Sequence, residues 1–268
     1  MATIDVFEDL DLVPSQQIRQ YFLNVPFDRI DEASAVTLLD HSDPSAPFRY
    51  IVTPNADHVV RLSREPELSL YYDDAWMSLC DSRPVSLFAR AVSRPMTHVT
   101  GSDLTVRLFR SVLRRGDRIA LIVGNDKVAN DVRAAYPDID IRTHVPPTGL
   151  WKDIEAQKRC VDFVLRHPSR FVFIAVGSPQ SEKIAHMISR NASASGIGLC
   201  VGASLEFLVG TKKRAPVWMR RLSLEWLHRM ASDPKRLWRR YVYGVMPLLS
   251  LFAQEAIRRR PSQASPQR

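Results

Sequence analysis

RIALIVGNDKVANDVRAAYPDIDIRT, residues 118–143, holds a strand, a turn, a helix and a second strand in that order. Residues 118–123 are a short apolar run rich in β-branched side chains. Gly124-Asn125-Asp126 interrupts it, an amphipathic stretch over 128–135 follows, and a second short run occupies 139–143. Short β-branched runs alternating with longer amphipathic stretches are the signature of βα units and a parallel sheet.

The same alternation extends in both directions. It predicts further strands over 48–53, 76–80, 171–176 and 197–201, and helices over 56–62, 66–73, 85–92, 103–115, 154–166 and 180–191. In the 103–115 helix, Ser102 is placed to cap the start, Leu104, Leu108 and Val112 form an i, i+4 stripe, and Gly116 is placed to close the end. The expected organisation is an N-terminal arm over 1–47 and an α/β core over 48–210. A basic, Trp-rich helical appendage over 211–257 and a disordered tail over 258–268 complete it.

Charge is distributed unevenly along this plan. Residues 211–268 hold 14 Lys/Arg against 3 Asp/Glu, a net of +11, which leaves −3 for residues 1–210 against +8 for the whole chain. Trp218, Trp226 and Trp238 lie among these cations, and Trp218, Leu222, Trp226 and Met230 recur every four residues as an apolar helical stripe. Cations beside amphipathic rings suit a surface that is anionic and partly apolar. The run over 245–253 is less than half the about 20 residues that cross a bilayer, so it can dip into a membrane without spanning it. The start, MATIDVFEDLDLVP, has no basic region followed by an apolar run, and a cytoplasmic location is expected. Cys80, Cys160 and Cys200 fit neither a disulfide framework nor metal-ligand spacing and read as small buried hydrophobes.

Three of the strands end in glycine, at Gly124-Asn125-Asp126, Gly177-Ser178-Pro179 and Gly202-Ala203-Ser204; two more end at Thr53-Pro54-Asn55 and Asp81. In an open parallel sheet a ligand sits at the carboxyl ends of the strands, where glycine lets backbone N–H groups and helix N-termini approach phosphate. Any one of these glycines can equally be an ordinary turn residue. The chain has no G-x-G-x-x-G after a strand and no nucleoside-triphosphatase loop. Its D-x-D look-alikes, Asp9/Asp11 and Asp138/Asp140, fall away from the proposed edge. No metal and no other cofactor is expected; Lys and Arg would neutralise phosphate.

Asp81 follows the apolar run AWMSLC and should lie at the ligand end of a buried strand. There, partial burial would raise its pKa and a substrate hydroxyl could pass it a proton; alternatively, it caps the next helix, as Pro84 suggests. Asp103 reads as a first-turn acid, His58 and His98 as supporting residues, and Glu182 and Glu206 as contacts for a sugar hydroxyl or as helix caps.

Taken in order, TPNADHVV (53–60), CDSRP (80–84), VTGSDL (99–104), GSPQSE (177–182), VGASLEFLVGTKKRAPVWMRRLSLEW (201–226) and DPKRLWRRY (233–241) resemble the WecG/TagA/CpsF family of bacterial glycosyltransferases. The resemblance implies a Rossmann-like core and an inverting transferase. Such an enzyme moves a sugar from a UDP-sugar to a polyprenyl-diphosphate-linked sugar, without a catalytic metal, on the cytoplasmic face of the membrane.

Carried over by position, the family's Thr and Asn fall on Thr53 and Asn55, its catalytic aspartate on Asp81, and its late arginines on Arg229, Arg236 and Arg239. Donor contacts are then expected from Gly124, Asn125, Gly177, Ser178, Pro179, Gln180, Ser181, Glu182 and Gly202. Arg214 and Arg221 join the three late arginines as diphosphate or membrane contacts. Many members read Gly-x-Pro-x-Gln-Glu where this chain has GSPQSE, which puts Ser181 at the Gln position, and Asp-Gly where it has Asp81-Ser82. N-acetylmannosamine, its uronic acid and glucose all stay open as the donor sugar.

The expected partners are a UDP-sugar, the polyprenyl-linked acceptor and an anionic membrane surface, on which the protein sits peripherally at the inner face; a homo-oligomer stays open. A nucleic-acid-binding protein using the Arg/Trp segment, or a non-catalytic membrane scaffold, are the alternatives.

Overall fold

The computed structural model describes residues 19–212 and 246–257, together with Pro216 and Met219. The chain opens with an antiparallel hairpin, β1 (Arg19–Phe22) and β2 (Val25–Asp28), and helix α1 (Glu32–Asp40). There follow β3 (Arg49–Val52), α2 (Ala56–Arg64), a 3-10 turn (Pro66–Ser69), α3 (Leu70–Asp73), β4 (Met77–Ser78), α4 (Arg83–Ala91) and α5 (Gly101–Arg107). The second half runs β5 (Arg118–Val123), α6 (Asp126–Ala135), β6 (Asp140–His144), α7 (Ile154–Arg166), β7 (Phe171–Ala175), α8 (Gln180–Ser189), β8 (Ile197–Cys200) and α9 (Ser204–Leu208). Residues 246–257 are helical and are termed α10.

β3 to β8 form one six-stranded sheet in the order β4-β3-β8-β7-β5-β6, parallel at every pairing. The Rossmann-like α/β expectation is met, and the sheet is parallel throughout. Alternate residues supply its two faces, as the two-residue strand period requires. Tyr50, Val52, Ala120, Ile122, Val172 and Ile174 pack with α2, α4, α7, α8, α10 and the hairpin. Ile51, Ile119, Leu121, Phe171, Phe173 and Leu199 pack with α1, α5, α6 and α9.

The hairpin is fastened to the edge strand β4 by a partly buried clasp. Arg19 meets the Asp28 carboxylate through Nε and Nη2, both at 2.9 Å, and also donates to the carbonyls of Asp73 and Ala75. Asp28 Oδ2 accepts the N–H of Ser78 at 2.7 Å, and the Ser78 hydroxyl donates to the Pro26 carbonyl at 2.6 Å.

Four local expectations need correction. Thr100, not Ser102, caps α5, its Oγ1 accepting from the Asp103 N–H at 3.0 Å; Ser102 is already inside the helix and meets Ser204 at 3.2 Å. The helix also ends sooner than residue 115. It loosens into a π turn over Leu108–Val112, and the Arg170 guanidinium takes the Val112 carbonyl at 3.1 Å. Gly116, at φ +85°, sits in the following turn rather than closing the helix. The strand expected over 76–80 is regular only at Met77–Ser78, with Cys80 forming a separate parallel bridge to His98.

Among the described residues no helix is long and apolar enough to cross a membrane. Part of the run expected to dip into a bilayer lies in α10, which buries Leu248 and Phe252 against the core, with the Phe252 ring stacked 4.0 Å from that of Phe88 on α4.

Candidate functional site

The strand register levels the expected turns. Val52 pairs with Ser78 and Cys200, Cys200 with Ile174, and Ile174 lies in register with Ile122. Two residues further on, Pro54, Gly202, Val176 and Gly124 form one row. Gly177, Asn125, Asn55 and Asp81 are one step beyond or within a residue of it. The five polar strand ends therefore share one edge of the sheet, where a parallel α/β fold receives its ligand.

At one end of this edge Thr53, Asn55 and Asp81 come together. Thr53 is buried and donates its hydroxyl to the Cys200 carbonyl at 3.0 Å, which ties β3 to β8. Asn55 caps α2, its Oδ1 accepting from the Asp57 N–H at 2.9 Å. The Asp81 N–H donates to the Pro54 carbonyl at 3.1 Å, so the two strand-end segments are joined directly. The half-buried Asp81 carboxylate accepts the Gly101 N–H at 3.1 Å.

Ser82 caps α4 by accepting from the Val85 N–H, which removes the helix-cap alternative for Asp81. The Thr100-Gly101 segment that receives Asp81 was not singled out as a partner from sequence. A backbone donor has no side-chain signature, so only the VTGSDL stretch itself pointed there.

Further along the edge, Val123, Gly124, Asn125, Val128, Ala175, Val176, Gly202, Leu205 and Glu206 line a cleft between the ends of β5, β7 and β8. Asn125 caps α6 through Oδ1, accepting from Val128 at 3.0 Å. Gly202 has φ +53° and Gly177 φ +87°, backbone positions that favour glycine. Glu206 faces the cleft and is ion-paired to Lys212, a cation the sequence reading had not separated from its basic neighbours.

The β7–α8 turn carries Gly177 to Glu182. Ser178 Oγ accepts from Arg61 Nη1 at 3.3 Å and lies 3.5 Å from the Tyr72 hydroxyl. Gln180, with its amide oriented as its neighbours require, donates to the Gly177 and Ser178 carbonyls at 3.2 Å and so braces the turn. Pro179 precedes α8, and Ser181 is 2% exposed, its hydroxyl without a hydrogen-bond partner among the described residues. Glu182 is also 2% exposed. Burial pushes its carboxyl up to about 7 against the lowering effects of its own backbone N–H, of the Ser178 hydroxyl and of Arg61. Burial likewise pushes the Cys80 thiol up to about 12 and that of Cys200 well above its ordinary value, so both stay protonated and inert near neutrality.

Carboxylates at the opposite, amino end of the sheet are occupied by ion pairs. Asp140 holds Arg118 and Arg142, Asp138 holds Arg115, and Arg170 bridges Asp40 and Asp117. Asp9/Asp11 and the arginines Arg214, Arg221, Arg229, Arg236 and Arg239 lie outside the described residues.

A parallel sheet with helices on both faces, whose strand-end edge gathers a carboxylate, a threonine and glycine turns beside a cleft, defines a Rossmann-like α/β protein. The chain belongs to the Glycosyl transferase WecG/TagA/CpsF family, whose model matches residues 20–262. It is 26% identical over 196 residues to the N-acetylglucosaminyldiphosphoundecaprenol N-acetyl-beta-D-mannosaminyltransferase of Bacillus spizizenii, covering 71% of this chain and 74% of that protein. The enzyme of the same name from Staphylococcus aureus strain MW2 is 26% identical over 195 residues, with the same coverage. The protein is thus a glycosyltransferase by family.

Proposed function

We propose that this protein is an inverting glycosyltransferase that moves an N-acetylmannosaminyl group from a UDP-sugar to a polyprenyl-diphosphate-linked N-acetylglucosamine. The acceptor class and the sugar follow the printed activity of the two relatives. The observation that carries the reading is the placement of Asp81: at the end of β4, relieved of capping by Ser82, held by Gly101 and joined to the Thr53-Asn55 segment.

Asp81 takes the proton of the acceptor hydroxyl as that oxygen bonds to the anomeric carbon. The bond from that carbon to the UDP oxygen breaks on the opposite face, and UDP leaves with its charge met by strand-end N–H groups and by Arg229, Arg236 and Arg239. Thr53 and Asn55 orient the reacting groups, and the cleft lined by Gly124, Gly202 and Glu206 takes the nucleotide end of the donor. No divalent cation enters the scheme, because cationic side chains supply the counter-charge. The Arg/Trp segment holds the enzyme peripherally on the inner membrane surface, each basic residue there contributing roughly 1 kcal/mol.

Calorimetry with UDP, followed by transfer from UDP-N-acetylmannosamine to a short-chain prenyl-diphosphate N-acetylglucosamine, tests this reading. UDP binding and turnover are expected. Salt-sensitive oligonucleotide binding with no affinity for UDP would replace it with the nucleic-acid alternative, and liposome binding with no nucleotide affinity would replace it with the scaffold.

A further inference from the structure

The buried acid in the β7–α8 turn is not used by the chemistry above, and its surroundings are unusual for a carboxyl group. Glu182 lies in the first turn of α8 at 2% exposure, and its Oε2 has no hydrogen-bond partner among the described residues. The Ser178 hydroxyl lies close enough to its carboxyl to favour the charged form, against the effect of burial, and that same Ser178 oxygen accepts from Arg61 Nη1 at 3.3 Å. One acid, one hydroxyl and one guanidinium therefore link three pieces of the site. They are the turn that follows β7, the start of α8, and α2, the helix that Asn55 caps.

We propose that Glu182 is a positioning residue that works as an uncharged acid: without touching the donor, it buttresses Ser178 and Arg61 beneath the β7–α8 turn and keeps negative charge away from the donor diphosphate. The proposal rests on the donor reading given above and deepens it.

A charged carboxylate in this position would be buried with an oxygen unserved, a costly state that only a shift of a partner toward it would relieve. Among the described residues Arg61 is the cation that acts on Glu182, and turning it toward Glu182 would withdraw its bond from Ser178 and free the turn. Further, an anion one helical turn below a phosphate-binding edge opposes the incoming diphosphate, whereas a neutral acid does not.

Tyr72 on α3, Tyr50 on β3 and Cys200 on β8 are all raised by burial and stay neutral. On α7, also packed on α8, Cys160 is pushed up to about 12. His58 on α2 is in ring contact with Tyr72, and His186, further along α8, is paired to Asp74 at 3.0 Å; both imidazoles are the local groups to control for.

With its carboxyl at about 7, Glu182 is about 90% neutral near pH 6 and about 3% neutral near pH 8.5. If only the neutral form binds, the apparent Kd for UDP rises up to about 30-fold between those conditions. Calorimetry with UDP on the full chain at both pH values is the test, run on wild type, Glu182→Gln and Ser178→Ala, with His58→Gln and His186→Gln as controls and a thermal melt on each sample.

The wild-type Kd is expected to rise at least about fivefold, the ratio between the two pH values to collapse toward one in Glu182→Gln, and the histidine controls to keep it. Ser178→Ala is expected to bind weakly at both values, which keeps the idea testable if the Gln variant fails to fold. A Gln variant with the wild-type ratio, a ratio lost in a histidine control instead, or a pH-independent wild type overturns the role of Glu182. A wild type that binds no UDP at either pH overturns the donor reading itself, so the two failures are distinguishable.

Discussion

The carboxylate of Asp81 accepts the backbone N–H of Gly101 at 3.1 Å, across a gap of twenty residues that contains all of α4. The contact sets the start of α5 beside the end of β4 and aims the acid toward the strand-end edge. An Asn side chain keeps the acceptor oxygen, so Asp81→Asn should fold normally and bind UDP with wild-type affinity. Its kcat for transfer should fall by about 100-fold or more, the usual scale for a lost general base. Retention of most of the turnover in a single-turnover assay would remove Asp81 from that role.

The other side of Gly101 is equally close. A Cβ added there would meet Thr53 Oγ1 at 3.0 Å and Ser204 Oγ at 3.5 Å, and Thr53 is held in place by the Cys200 carbonyl. Gly101→Ala should therefore displace Thr53 at a cost of about 1 kcal/mol in stability. The drop in kcat should be larger than that loss explains, because the displaced residue borders Asp81. Urea unfolding and kcat measured on the same preparation separate the two effects.

The parallel sheet and the level edge were legible because strand, glycine turn and helix recur with recognisable spacing, and the starts of β5, β7, β8, α2, α7 and α8 fall where the periodicity put them. Elements decided by tertiary contact were not. Thr100 displaces Ser102 as the α5 cap, and Arg170, distant in sequence, takes the carbonyl at which the helix unwinds. In the site, Asp81 and Thr53 were visible from position, whereas Arg61 lay inside an amphipathic helix with nothing in its neighbours to mark it. Glu182 was visible as a residue, but its burial depends on how α8 packs on β3 and α3.

Glu182 also sets a pH dependence of stability. Its carboxyl is raised from 4.5 to about 7, so between those values the folded protein holds a proton that the unfolded chain has released. Stability from this group is complete below about pH 4.5, declines as pH rises through the window, and is lower by about 3 kcal/mol above it. Glu182→Gln lacks the penalty. Relative to wild type it should melt several degrees higher at pH 8 than the same comparison gives at pH 5; an equal difference at both pH values would contradict the buried-acid assignment.

The clasp between hairpin and edge strand carries a prediction that joins stability to the site. Asp28 holds both Arg19 and the N–H of Ser78, and Asp81 is three residues beyond Ser78. Asp28→Asn preserves shape but leaves the mostly buried Arg19 charge uncompensated, at a cost of about 3 kcal/mol. Activity should decline at temperatures below the melting transition, as β4 loosens first. Parallel melting curves from far-ultraviolet dichroism and residual transfer would show activity leading; coincident curves would mean that the clasp acts on global stability alone.

Removing residues 211–268 is a poor test of the basic segment, because it also removes α10, whose Leu248 and Phe252 cover part of the core beside Phe88. Substitutions that keep α10 isolate the charge. Arg229→Ala, Arg236→Ala and Arg239→Ala each delete one of the expected cations for the leaving diphosphate, and loss of one such contact should lower kcat by roughly 100-fold. A surface anchor shared among many basic residues loses only roughly 1 kcal/mol with any one of them. Flotation with anionic liposomes should therefore persist in all three variants while transfer collapses. If flotation and transfer fall together, in proportion, the arginines serve attachment and the leaving group must be met by the strand-end N–H groups alone.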